Sequence, residues 1–174
     1  IDAVGDLAVV EAGANGARLL DLVDPENPVD RGWVRHEEPV TAATLTGPLL
    51  VVATASRLES YWVGLELNPE IEGMVQPSGW ARHLAVSGSL AILGMDEQKV
   101  AMVDVEDPQR PRVRGVLDQP GPSAPIVAIH GTVACALDPE FGLSVIDVAD
   151  PTQPAVIGTL EALQGQDLFG APMG

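Results

Sequence analysis

Residues 84–117 read LAVSGSLAILGMDEQKVAMVDVEDPQRPRVRGVL, and this stretch decides the fold. Four short runs, His83–Val86, Leu90–Leu93, Val100–Val105 and Arg112–Leu117, are rich in Val, Leu, Ile and Ala and are separated by Gly, Asp, Gln and Pro. That is the pattern of strands joined by tight turns. The third run is apolar at most successive positions, which predicts burial on both faces rather than a half-wet strand.

The pattern repeats. With the glycine after the first apolar run as phase zero, Gly5, Gly47, Gly88 and Gly131 are spaced 42, 41 and 43 residues apart. Sixteen residues after three of them stands an aspartate between apolar neighbours: Asp21, Asp104 and Asp147. A proline-bracketed turn follows each: DPENP (24–28), DPQRP (107–111) and DPTQP (150–154). A second glycine recurs as Gly32, Gly73, Gly115 and Gly158. The second copy is degenerate. Its Val63 takes the aspartate phase, and of the turn it keeps only Asn68-Pro69. In the first copy Asn15-Gly16 marks the hairpin between the second and third strands.

A four-stranded unit buried on both faces has to stack on copies of itself, and radial stacking makes a β-propeller. The expected fold is all-β: one β-propeller domain or segment over residues 1–174, with antiparallel four-stranded blades at about 1–41, 42–82, 83–124 and 125–166. A linear solenoid fits less well, since its coils are shorter. Residues 167–174 would begin a fifth unit, so the chain is expected to be part of a larger propeller; a closed four-blade ring is the alternative, since the tail DLFGAPMG is poor strand sequence. The repeat phase places Val9, Val51, Ile92 and Cys135 in one set of core positions. Leu20, Trp62, Val103 and Ile146 form a second set.

The motifs "LAVSG" (84–88), "VAMVDVEDPQRP" (100–111), "LSVIDVADPTQP" (143–154) and "RLLDLVDPENP" (18–28) resemble the LVIVD repeat family, over nearly the whole chain. That family is mostly bacterial and archaeal and often exported or surface-attached, and few of its members have assigned activities. The resemblance implies a propeller, placed extracellularly or at the cell surface. It carries over no catalytic residue. Asp21, Asp104 and Asp147 read as turn clamps, accepting backbone N–H groups of the turns that follow them.

Composition narrows function. Nine basic against 25 acidic residues give a net charge of −16, which repels phosphate backbones, and 3% aromatics leave no base-stacking platform. Nucleic acid is excluded. No apolar run reaches membrane-spanning length, the longest, Leu45–Ala55, being broken by Gly47 and Pro48. One cysteine allows neither an internal disulfide nor a thiolate metal site.

Two groups of side chains are site candidates. The inter-blade loops hold Arg35 and His36, then Trp80, Arg82 and His83, which would line a ligand pocket at the channel mouth. The loops between second and third strands hold Glu59, Asp96, Glu97, Asp138 and Glu140, an acidic rim suited to Ca²⁺ or a cationic partner. None of these loops has the alternating spacing of a calcium loop, so solvated hairpin tips are the plainer reading, and no cofactor is expected. His36, His83 and His130 fall at different phases and are not expected to converge on a metal. Gly13–Gly16 is a hairpin tip rather than a phosphate cradle. The expected function is a non-catalytic scaffold or recognition module, its partner a protein, a small ligand or the remaining chain of the same propeller. The alternative is an enzyme of hydrolase or lyase type with its site at the channel mouth.

Overall fold

The computed structural model describes residues 1–11, 13–63 and 69–162. Among the described residues sixteen strands form four separate antiparallel sheets, each a meander of four consecutive strands. Blade one is β1 (Asp2–Val4), β2 (Leu7–Glu11), β3 (Ala17–Asp21) and β4 (Val29–Val34). Blade two is β5 (Val40–Thr46), β6 (Leu49–Thr54), β7 (Leu58–Trp62) and β8 (Ile71–Val75). Blade three is β9 (Ala81–Ser87), β10 (Leu90–Met95), β11 (Lys99–Asp104) and β12 (Arg112–Asp118). Blade four is β13 (Ile126–His130), β14 (Val133–Asp138), β15 (Gly142–Asp147) and β16 (Ala155–Glu161). The fold is β-propeller-like, with β1, β5, β9 and β13 as the inner strands. Residues from all four line a central cavity of about 510 Å³.

Local chemistry explains the repeat. Gly5, Gly47, Gly88 and Gly131 all have φ between 56° and 60°, the left-handed conformation that closes each inner hairpin at least cost with glycine. Asp21 Oδ1 accepts the Val23 N–H at 2.8 Å, Asp104 Oδ1 that of Glu106 at 3.0 Å, and Asp147 Oδ1 that of Ala149 at 2.9 Å. The Asp-Pro turns repeat the device, Asp24, Asp107 and Asp150 each taking the N–H two residues on. The clamps are as expected, but they sit at the ends of the third strands, Asp21 and Asp104 half-buried and Asp147 exposed, rather than enclosed in the core.

Three cores hold the blades together. Val9 and Leu19 pack with Leu50, Val52 and Tyr61 between blades one and two. Val51 and Leu58 pack with Leu93, Met95 and Val103 between two and three. Ile92, Val100 and Met102 pack with Ala134, Ala136 and Ile146 between three and four. Among the described residues no fourth core joins blade four to blade one.

Three core expectations need correction. Val9, Val51, Ile92, Val103 and Ile146 are fully buried, but Cys135 and Leu20 are only half-buried. Both lie on faces with no neighbouring blade among the described residues. Trp62 is 52% exposed because the β6–β7 turn of blade two is one residue shorter. Leu49 pairs with Trp62 where Leu90 pairs with Asp104, so Trp62 occupies the aspartate position and Tyr61 the core one. Val63 accordingly matches Val105, not the aspartate: its N–H bonds the Pro48 carbonyl at 2.8 Å as that of Val105 bonds Ser89. The expected start of a fifth unit at 167–174, and Asn68 of the degenerate turn, lie outside the described residues. Asn15-Gly16 is not a two-residue hairpin turn. A 3₁₀ turn at Gly13–Asn15 precedes Gly16.

In urea unfolding, Ile92→Ala is expected to cost about 3 kcal/mol. Asp104→Ala, which removes one part-exposed hydrogen bond, should cost about 1 kcal/mol. Equal or reversed costs would contradict the division between core and clamp.

Candidate functional site

The candidate centre is polar and lies between blades one and two, where the repeat calls for a core residue. Glu59 and Tyr61 are two apart on β7 and so share the face turned toward blade one. By register Glu59 replaces what is Ala101 in blade three and Ser144 in blade four. A carboxylate at a core position needs hydrogen-bond donors, and three elements supply them. The 35–39 connection, which carries the chain from β4 to β5, brings in His36, whose Nδ1 lies 2.8 Å from Glu59 Oε2 with each side chain 4% exposed. The Tyr61 hydroxyl donates to the same oxygen at 2.6 Å. Arg57, from the β6–β7 turn, sets Nη1 3.6 Å from Oε1.

A second layer fixes the first. Glu38 accepts hydrogen bonds from the hydroxyls of Thr54 and Ser56, both at 2.8 Å, and lies 3.9 Å from Arg57. The His36 and Tyr61 rings meet edge to face, 5.7 Å apart at 89°. Burial alone would raise the Glu59 carboxyl, but the bonds from His36 and Tyr61 and the neighbouring positive charge hold it below its ordinary value. Burial and the adjacent carboxylate push the Tyr61 hydroxyl far above its usual range. His36 Nε2 is the single buried side-chain nitrogen or oxygen without a hydrogen-bond partner among the described residues. The Nδ1 contact with Glu59 orients the ring and leaves Nε2 as its unpartnered polar atom. His36 also lines a cavity of about 450 Å³ with Ala14, Asn15, Trp33 and Arg35.

Two of the sequence candidates thus meet in one centre, His36 from the pocket group and Glu59 from the acidic group. Glu59 therefore belongs to a buried ion pair and not to an open rim. Trp80, Arg82 and His83 form a separate cluster, Trp80 and Arg82 exposed and His83 half-buried. Arg82 makes two bonds to Asp96, at 2.9 and 3.0 Å, and its guanidinium lies 5.7 Å from the Trp80 ring centroid. Burial and the Arg82 charge lower the pKa of His83. Among the described residues no hydrogen bond, ion pair or ring contact joins this cluster to Arg35 and His36.

The other acids differ in burial and in partners. Glu97 bonds Lys99 at 2.6 Å. Asp138 is buried and clamps its own loop through the N–H groups of Glu140 and Phe141 at 2.8 and 3.1 Å. Glu140 is exposed at the edge of blade four. No group of three acids, histidines or cysteines among the described residues is arranged to hold a metal. Sequence reading missed Arg57, Tyr61 and Glu38. The available signal was an acid, Glu59, at a position that other blades fill with Ala101 or Ser144.

No family model and no curated protein matches the chain. Among solved structures, it is similar to the computationally designed Ika8 protein, known from a crystal structure. The TM-score is 0.73 over 93% of this chain at 11% identity. The match covers 48% of that structure, so the chain spans about half its length. At that identity the likeness is one of fold.

A depressed folded-state carboxyl contributes stability that is complete above its unfolded value of 4.5 and is lost as pH falls through the folded value. The stability difference between the wild type and Glu59→Gln should therefore be largest near neutral pH and shrink below about pH 4.5 in urea unfolding series. A difference that stays constant down to pH 3 would contradict the charged pairing.

Proposed function

We propose that the chain is a non-catalytic module of a larger propeller, in which blade four receives a further blade. The observation that carries this is Gly158. A Cβ placed on Gly73 would lie 2.3 Å from the Pro108 carbonyl, and one on Gly115 would lie 2.3 Å from that of Pro151. Each glycine thus seats the Asp-Pro turn of the next blade. Gly158 has the same register opposite Val145 as Gly115 has opposite Met102, yet the nearest atom to its Cβ is Val145 Cβ at 3.9 Å. The seat is built, and among the described residues nothing sits in it.

The surrounding face agrees. Blade three turns Ile92, Val100, Met102 and Leu117 onto blade four. The same positions one repeat later are Cys135, Leu143, Val145 and Leu160, and Leu160 is 68% exposed. An apolar face of this kind in water calls for a cover, and matching register commits the cover to another unit of the same repeat. On blade one the outward face is more polar, with Arg18 bonded to Asp30 at 2.7 Å and lying over Trp33.

The central cavity supports a non-catalytic reading. Its acids are engaged, Asp2 by Thr44 and the Leu45 N–H, Glu11 by the Ala43 N–H. The remaining lining includes Leu84, Val86, Val127 and Ile129. The enzyme reading keeps one supporting observation, the His36–Glu59 pair, which has the form of an oriented general base. Among the described residues no hydroxyl or thiol is bonded to Nε2 to serve as its nucleophile. Membership of the LVIVD repeat proteins and a place outside the cytoplasm are part of the proposal and rest on the repeat motif alone.

Gly115→Val and Gly158→Val should be compared in the native assembly. The proposal predicts that both lower stability, each by about 1–3 kcal/mol through a clash with a seated turn. A harmless Gly158→Val beside a damaging Gly115→Val would show that blade four is an end.

A further inference from the structure

The junctions leave one seat and one turn unmatched, at opposite ends of the described blades. The blade three turn sits on Gly73 and the blade four turn on Gly115. Gly32 precedes blade two, whose turn is the degenerate one. What remains is the seat at Gly158 on blade four and the intact turn DPENP (24–28) on blade one.

That turn already has the shape of the seated ones. The Asn27 N–H reaches back to the Asp24 carbonyl at 3.0 Å, as Arg110 reaches Asp107 at 2.9 Å and Gln153 reaches Asp150 at 3.0 Å. Asp24 also accepts the Glu26 N–H at 3.1 Å and the Asn27 side-chain amide at 2.9 Å. Its prolines, Pro25 and Pro28, are exposed, whereas Pro111 is buried and Pro108, Pro151 and Pro154 are half-buried. Pro154 Cδ lies 3.1 Å from a Cβ placed on Gly115, so the second proline belongs to the contact.

The strand leading into the turn is unmatched in the same way. Leu20 holds the register of Val103 and Ile146, which pack on the blade before them. The Leu22 N–H bonds the Asp6 carbonyl as those of Val105 and Val148 bond Ser89 and Thr132. Val105 and Val148 are each 2% exposed, while Leu20 and Leu22 are only half-buried. Arg18 and Asp30 on the same face are already paired at 2.7 Å, so neither charge enters a junction alone.

We propose that the blade received by blade four is blade one of a second copy of this chain, two copies closing head to tail into one ring. This deepens the larger-propeller reading and rests on it. Propellers close with about four to eight blades. Whole copies of four described blades give four or eight, and no core among the described residues joins blade four to blade one of the same chain. Two copies bring the head-to-tail contact back on itself.

The test is sedimentation velocity of the chain at about 0.15 M salt, where the net charge is screened. Two variants accompany the wild type. Gly158→Arg fills the seat, where the described chain leaves space. Pro28→Arg alters an exposed residue of the turn. The wild type is expected at twice the mass of one chain, and each variant alone should dissociate at least about a hundredfold more readily. An equal mixture of the two variants should recover a dimer, because one intact seat then meets one intact turn. Monomeric wild type at about 100 μM overturns the proposal, as do species larger than two copies that grow with concentration. A dimer sensitive to Gly158→Arg but not to Pro28→Arg also overturns it, since the seat would then meet something other than the turn. So does a mixture that stays monomeric. The seat itself is read separately by Gly158→Val in the native assembly: a damaging Gly158→Val beside a monomeric wild type sinks the second copy and leaves the larger propeller standing.

Discussion

A sheet that is apolar on both faces has to be sandwiched, and everything else in this chain follows from that. The strands of blade three bury Leu93 and Val103 on one side and Ile92 and Met102 on the other. With about 25 cal/mol gained per Å² of apolar surface removed from water, such a blade is stable only between two neighbours. Contact close enough to do this brings the Asp-Pro turn of one blade against the fourth strand of the blade before it. Glycine alone leaves room there, as at Gly73 and Gly115. The repeat is thus a docking code, with a glycine seat on one blade and a clamped turn on the next.

The same constraint explains why the polar centre is confined to one junction. Between blades one and two the code is broken twice, by a turn one residue shorter and by Glu59 at a core position. The pocket of buried charge that results is held by Tyr61, His36 and Arg57. A buried pair of this kind is weak evidence for stability, since desolvation offsets much of the attraction. The degeneracy of blade two is better understood as local specialisation: the junction gives up apolar packing and gains an oriented imidazole beside a cavity.

Most of the architecture was legible because the recurring residues each have a structural cause. Gly88 needs a positive φ, Asp104 caps its own turn, and Gly115 meets a carbonyl. Where reading failed, the missing quantity was spatial. A fixed count from Gly47 could not place the deletion in the β6–β7 turn, so Trp62 was assigned the core position that Tyr61 fills. Phase gave Cys135 the same environment as Ile92, but burial also depends on whether the neighbouring blade is there. The pairing of His36 with Glu59 was hidden for a related reason, since the two residues belong to different repeats and meet only across a blade junction. Arg82 and His83 group with Arg35 and His36 in sequence, yet Arg82 bonds Asp96 within blade three.

The central claim is that the face around Gly158 is a seat for another blade. The most direct measurement is an experimental structure of the protein in its native assembly, read at that one place. The account predicts the carbonyl of another Asp-Pro turn against the Gly158 Cα, as Pro151 lies against Gly115, with Cys135 and Leu160 enclosed. Solvent over Gly158, Cys135 and Leu160 in the native assembly would contradict it.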